Sequence, residues 1–150
     1  MNGADPVDIW EEVLAWLRVA DADHRAVLVC MAADPPINGV AAYHCQQAIE
    51  KLLKGFLVRA SLDFGKTHDL DRLGRLVAIH YPETTTIVIE AAPWTAWSVA
   101  YRYPGLDDPE PEPTDEELLA SLQVIRQLAE MLRAHEPSQR STASDPEEEG

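Results

Sequence analysis

From Val7 to about Ala33, apolar residues recur at Trp10, Val13, Leu14, Leu17 and Ala20, the three-and-four spacing of one helical face. This pattern predicts a long first helix. Pro35, Pro36, Asn38 and Gly39 then form a turn cluster that ends it and leaves Asn38 near the start of the next element. So short a connection predicts two antiparallel neighbours. The second helix, from about Gly39 to Ala60, carries an apolar stripe of Cys45, Ala48, Ile49, Leu52, Phe56, Leu57 and Ala60. Gln47, Glu50, Lys51 and Lys54 share its polar face, with Glu50 and Lys54 in the favourable i,i+4 orientation, an exposed pairing that contributes about 0.3–0.5 kcal/mol.

Leu62 to Lys66 reads as a turn in which Gly65 supplies backbone freedom, and Thr67 as the cap of a third helix with apolar positions Leu70, Leu73, Leu76 and Val77. Pro82 stops it. Between Thr84 and Tyr103 the β-branched run Thr85-Thr86-Ile87-Val88-Ile89 favours strand by side-chain shape, but its surroundings favour helix, and we read a helix broken near Pro93. From Pro104-Gly105 to Pro113 the chain is acidic and proline-rich, as an extended surface loop would be. Thr114-Asp115-Glu116-Glu117 forms a capping box ahead of Leu118, Leu122, Ile125, Leu128, Ala129 and Leu132, which predicts a last helix. The expected fold is all-α, an antiparallel up-and-down bundle of about five helices over residues 1–135, followed by a disordered acidic tail over 136–150.

The chain of 150 residues carries a net charge of −14, which repels phosphate backbones over the molecule as a whole. The charge is unevenly placed. Lys51, Lys54, Arg59, Lys66, Arg72 and Arg75 are half of the 12 basic residues, while seven acids lie between Asp107 and Glu117, so the basic segment is the better place for an anion. The longest apolar run, Ala26 to Ala33, is far short of the ~20 residues a membrane helix needs. Cys30 and Cys45 form no CxxC pair and fall in apolar stretches, as buried thiols of a protein in the reducing cytoplasm would.

Tyr43-His44-Cys45-Gln46-Gln47-Ala48-Ile49-Glu50-Lys51-Leu52-Leu53-Lys54, followed by Lys66-Thr67-His68-Asp69-Leu70, resembles the HEPN family of helical domains. Trp16-Leu17, Ala20, Asp23 and Ala26 look like that family's first helix, and Arg102-Tyr103-Pro104-Gly105 looks like its RYP element. The resemblance covers roughly residues 10 to 135. It implies an antiparallel helical bundle, usually a homodimer, commonly encoded beside a minimal nucleotidyltransferase as a toxin–antitoxin-like pair. Some members act as ribonuclease toxins and others as nucleotide-binding partners.

Ribonucleases of this family are similar in carrying an Arg and a His four to six residues apart. Such a pair can cleave RNA without metal, the imidazole moving protons at the ribose hydroxyl and leaving oxygen while the guanidinium stabilises charge on the phosphate. By position the arginine would be Arg102, yet Tyr103 to Asp108 contains no histidine. By spacing Arg75 and His80 fit, but five residues place them roughly 140° apart on a helix, and both also read as a solvated charge and a helix-end histidine. Arg102, Arg75 and His80 are therefore candidates only for the alternative reading, a metal-independent endoribonuclease.

The leading expectation is a dimeric module without catalysis of its own, partnering a separate nucleotidyltransferase and binding nucleotide or substrate. Candidate ligand-binding residues are Lys51, Lys54, Lys66, His68, Asp69, Arg102 and Tyr103, although His68 and Asp69 could instead satisfy a helix start, and a run of charges could be a solvated face. Gln46, Gln47 and Glu50 suit a polar dimer interface, a hydrogen bond to a neighbouring helix, or ligand contact. Trp94 and Trp97 read as core or interface. P-loop, Rossmann and zinc motifs are missing from the sequence, so no metal or cofactor is expected. A structural interaction domain remains a third reading.

Overall fold

Asp5 starts the first helix, α1 (Pro6–Ala32), by accepting a hydrogen bond from the Val7 amide at 2.9 Å, with Pro6 preset for the first helical position. This geometry comes from a computed structural model that describes residues 3, 5–100 and 111–138. Arg102, Tyr103, most of the acidic loop and the tail beyond Ser138 lie outside the described residues. After Pro35 and Pro36 the chain reverses into α2 (Asn38–Arg59). The side chains of α2 meet α1 across a long antiparallel contact, as the short connection predicts.

α3 (Leu70–His80) begins two residues later than a Thr67 cap would place it. The Asp69 carboxylate caps it, accepting from the amides of Asp71 at 2.9 Å and Arg72 at 3.4 Å. The Thr67 hydroxyl is occupied one step earlier, accepting from the Asp69 amide at 3.2 Å and shaping the turn into the helix. Gly65 adopts φ +63°, the left-handed conformation that its turn requires.

Pro82–Thr84 and Ala92–Ala96 are 3₁₀ turns that flank α4 (Thr85–Ala91), and the second carries Pro93. A one-turn helix, α5 (Trp97–Ala100), follows. The β-branched run is thus helical, because Val88 and Ala91 gain burial against α3 that outweighs a propensity cost of a few tenths of a kcal/mol per residue. The last helix, α6 (Asp115–Arg133), has the full reciprocal capping box between Thr114 and Glu117 at 3.2 Å in each direction. It runs parallel to α2. Asn38 donates to the Pro113 carbonyl and to Asp115 at one end, and Arg59 donates to the His135 carbonyl at 2.8 Å at the other. The described residues therefore form an all-α bundle of five helices of seven residues or more, with α5 as a single extra turn.

Fourteen of the 22 residues of α2 are buried, so it is a central helix rather than an amphipathic one. Leu53, Ala41 and Ala42 are buried besides the predicted stripe, whose last member, Ala60, is only half-buried at the C-cap. Leu14, by contrast, is exposed, because α1 meets α2 through the narrower face of Trp10, Val13, Leu17, Ala20 and Val27. Burial pushes the Cys45 thiol up to about 11, while Cys30 is only half-buried. No described helix is long and apolar enough to cross a membrane.

Two glycines mark close helix contacts of different kinds. A Cβ at Gly74 would lie 2.9 Å from the Cβ of Val88, whereas one at Gly55 would meet the flexible tip of Leu132 at 2.8 Å. Replacement by alanine gains about 1 kcal/mol of helix propensity at either place, but only Leu132 can rotate away. Gly74→Ala is expected to lower stability by about 1 kcal/mol, or ~4 °C in Tm, with Gly55→Ala near neutral. Calorimetry of both variants checks the contrast, and equal shifts would contradict it.

Candidate functional site

His44 and Lys51 stand seven residues apart, two turns of α2, and so project from one side of it. Both reach the buried Asp23 of α1: His44 Nδ1 lies 2.8 Å from Oδ1, and Lys51 Nζ donates to Oδ2. A second carboxylate, Glu50, gathers another set. Its Oε1 lies 2.8 Å from His68 Nδ1 and its Oε2 accepts from Lys54 Nζ at 3.4 Å. Each imidazole thus meets its carboxylate through Nδ1.

The Lys54 ammonium also sits 5.6 Å from the ring centre of Phe64 and 6.0 Å from that of Trp16, within reach of favourable cation–π attraction. Side-chain exposure is 9% for Lys54 and 4% for Glu50, so the solvated-face reading of these charges does not hold. They are enclosed because α2 is central and the turn before α3 folds over them. Gln46, fully buried, accepts from Gln47 Nε2 at 2.7 Å, while its own Nε2 has no hydrogen-bond partner among the described residues.

The other candidates are dispersed. Lys66 is exposed; His68 is 71% exposed at its side chain; Asp69 caps α3. Arg75 pairs with Asp71 at 3.0 Å, and His80 is exposed at the end of the same helix. Trp94 and Trp97 stack with centres 5.3 Å apart, Trp97 buried. Arg102 and Tyr103 lie outside the described residues. Among the described residues no three His, Cys, Asp or Glu side chains gather as a metal site requires.

A sequence model of the HEPN domain matches residues 13–135, from the third turn of α1 to just past the end of α6, and so takes in both carboxylate clusters. The chain belongs to the HEPN family. No curated protein and no solved structure matches it. In this HEPN domain the motif stretch from Tyr43 to Lys54 is mostly interior, and its charged residues link helices: Asp23 with His44 and Lys51 ties α1 to α2, and Glu50 with His68 ties α2 to the turn before α3.

Asp23, His44, Trp16 and Phe64 were not among the site residues chosen from sequence. A signal existed. In an antiparallel hairpin turning near residue 35, Asp23 stands about twelve residues before the turn, level with the midpoint of His44 and Lys51. The polar half of the pairing was therefore readable once α1 and α2 were taken as neighbours.

Because the Glu50–Lys54 pair is buried, removing one member strands the other. Glu50→Met and Lys54→Met are each expected to cost about 3 kcal/mol or more, while the double variant Glu50→Met/Lys54→Met recovers most of the loss. Urea denaturation of the three variants tests this, and strictly additive losses would show that the pair is uncoupled.

Proposed function

We propose that this HEPN domain is a dimeric module without catalysis of its own, which partners a separate minimal nucleotidyltransferase and binds nucleotide or the substrate being modified. HEPN domains commonly pair with nucleotidyltransferases. The observation that carries the non-catalytic part is Arg75 bound to Asp71, on a helix whose geometry directs His80 elsewhere. Arg102 is followed by no histidine through Asp108. Arg75 is thus paired with a carboxylate, and the family's spacing offers Arg102 no histidine in the sequence, which supports a module without the imidazole–guanidinium pair that metal-independent RNA cleavage needs.

For the ligand, Lys51 and Lys54 are already paired with Asp23 and Glu50, so the positive charge available to an anion comes from Lys66, and the exposed His68, itself held by Glu50 through Nδ1, has only its other ring nitrogen to offer beside the amino end of α3. Asp69 positions that helix start, and Arg102 and Tyr103 complete the candidate set. The free thiols Cys30 and Cys45 suit a reducing cytoplasm.

Sedimentation at micromolar concentration, titration with nucleoside triphosphates, and pull-down with a nucleotidyltransferase encoded beside the gene test the reading together. A dimer that binds the enzyme, with Lys66→Glu and His68→Ala weakening nucleotide binding about tenfold, is expected. A monomer that binds neither would overturn it. RNA cleavage that survives chelator and disappears in Arg102→Ala would establish the endoribonuclease instead.

A further inference from the structure

The charge of −14 conceals a local exception on the side of the bundle where α1 and α6 flank α2. These two helices barely touch each other, and Leu52 of α2 shows at the base of the gap between them. A cavity of about 210 Å³ lies there, floored by Leu17, Ala20, Ile125 and Ala129. A second, of about 460 Å³, continues from it, and Leu17, Asp21 and Arg133 line both.

The walls are arginine. Arg18 and Arg25 stand on α1, Arg126 and Arg133 on α6, and all four are exposed. Among the described residues none of these guanidinium groups has an ion-pair or hydrogen-bond partner, in contrast to Lys51, Lys54 and Arg75. Each pair is separated by seven residues, two helical turns or roughly 10.5 Å. The spacing is therefore the same on both walls, and an apolar strip runs between them.

We propose that this groove docks an acidic amphipathic segment of a partner protein. Carboxylates two turns apart on the segment engage the arginine walls, and an apolar side chain between them rests on Leu17 and Ala129. Guanidinium forks suit carboxylates placed this way, and groups inside a Debye length of ~8 Å feel the arginines more than the distant acids. A nucleic-acid backbone fits less well. Asp21 and Glu130 interrupt the arginine rows and would face its continuous phosphates, and a phosphodiester chain offers nothing apolar to the floor. Spaced carboxylates can pass both acids, as in helix-in-groove recognition. None of the groove's charged residues belongs to the Asp23 or Glu50 clusters, so the groove does not depend on the nucleotide or nucleotidyltransferase reading.

The test uses the full-length protein and a fluorescent peptide of about 18 residues with Glu at positions seven apart and Leu between them. The comparators are the same peptide with Gln for Glu and a single-stranded RNA. Saturable binding of the Glu peptide is expected, weakened about tenfold or more by the Gln replacement, by the double variant Arg18→Glu/Arg133→Glu, and by raised salt. Arg72→Glu, an exposed change on α3, should leave it unaltered. Circular dichroism checks folding, and Arg18→Gln/Arg133→Gln with the same threshold replaces the reversal variant if that one unfolds. Equal binding of the Gln peptide, indifference to the arginine changes, or preference for RNA would overturn the proposal. So would a self-associated form that the arginine changes dissolve and the peptide cannot displace, which would make a second copy the occupant.

Discussion

Glu50 carries the strictest requirement in the molecule, because its carboxylate is held inside a central helix with almost no water to solvate it. An isolated charge in such a place costs several kcal/mol, and a single lysine one turn along the helix does not satisfy both oxygens. The second partner is His68, eighteen residues away, so the chain after α2 has to turn back at once. Gly65 makes that reversal possible with its positive φ, and the Asp63 carboxylate secures it by accepting from the Gly65 amide at 3.0 Å. Phe64 in the same turn and Trp16 of α1 then cover the Lys54 ammonium. The position of α3 and the enclosure of the α1–α2 seam both follow from where this one carboxylate lies.

The far end of α2 is closed by a different combination. Arg59 donates to the His135 carbonyl just past α6, while the His135 ring packs near Tyr81 and Phe56 and its Nε2 lies 3.0 Å from the exposed Glu83. A cation at the carboxyl end of a helix is favourable, and here it comes from a neighbouring helix. The chain therefore stays anchored through His135, one residue before the composition turns to the Ser, Pro and acids of the tail.

Much of the architecture was legible in periodicity. The Thr114–Glu117 box, the proline-bounded connection before α2 and the stop at Pro82 all mark real boundaries, because each rests on local chemistry that tertiary packing does not override. The Thr67 cap was misplaced since Thr67 and Asp69 are both competent and only packing decides between them; the Leu70 amide, further on, is taken by Thr95 at 3.0 Å. The burial of Lys54 and Glu50 was not legible at all. A period-3.6 pattern reports which residues are apolar, and a central helix with a paired charge inside it looks the same as a surface helix with a solvated face.

That ambiguity also separates family from function in this HEPN domain. The stretch that carries the resemblance, Tyr43 to Lys54, is largely the stretch that the structure buries, and its polar groups are committed to holding α1, α2 and the α3 turn in register. Residues engaged in that way identify an architecture, since altering one partner strands the other. They are poorly placed to read a ligand. The basic groups without an ion-pair partner among the described residues lie elsewhere, at Lys66 in the turn before α3 and at the arginines between α1 and α6. The arginines sit on helices, so the spacing of their backbone positions is fixed before any partner arrives, and less conformational entropy remains to be lost on binding.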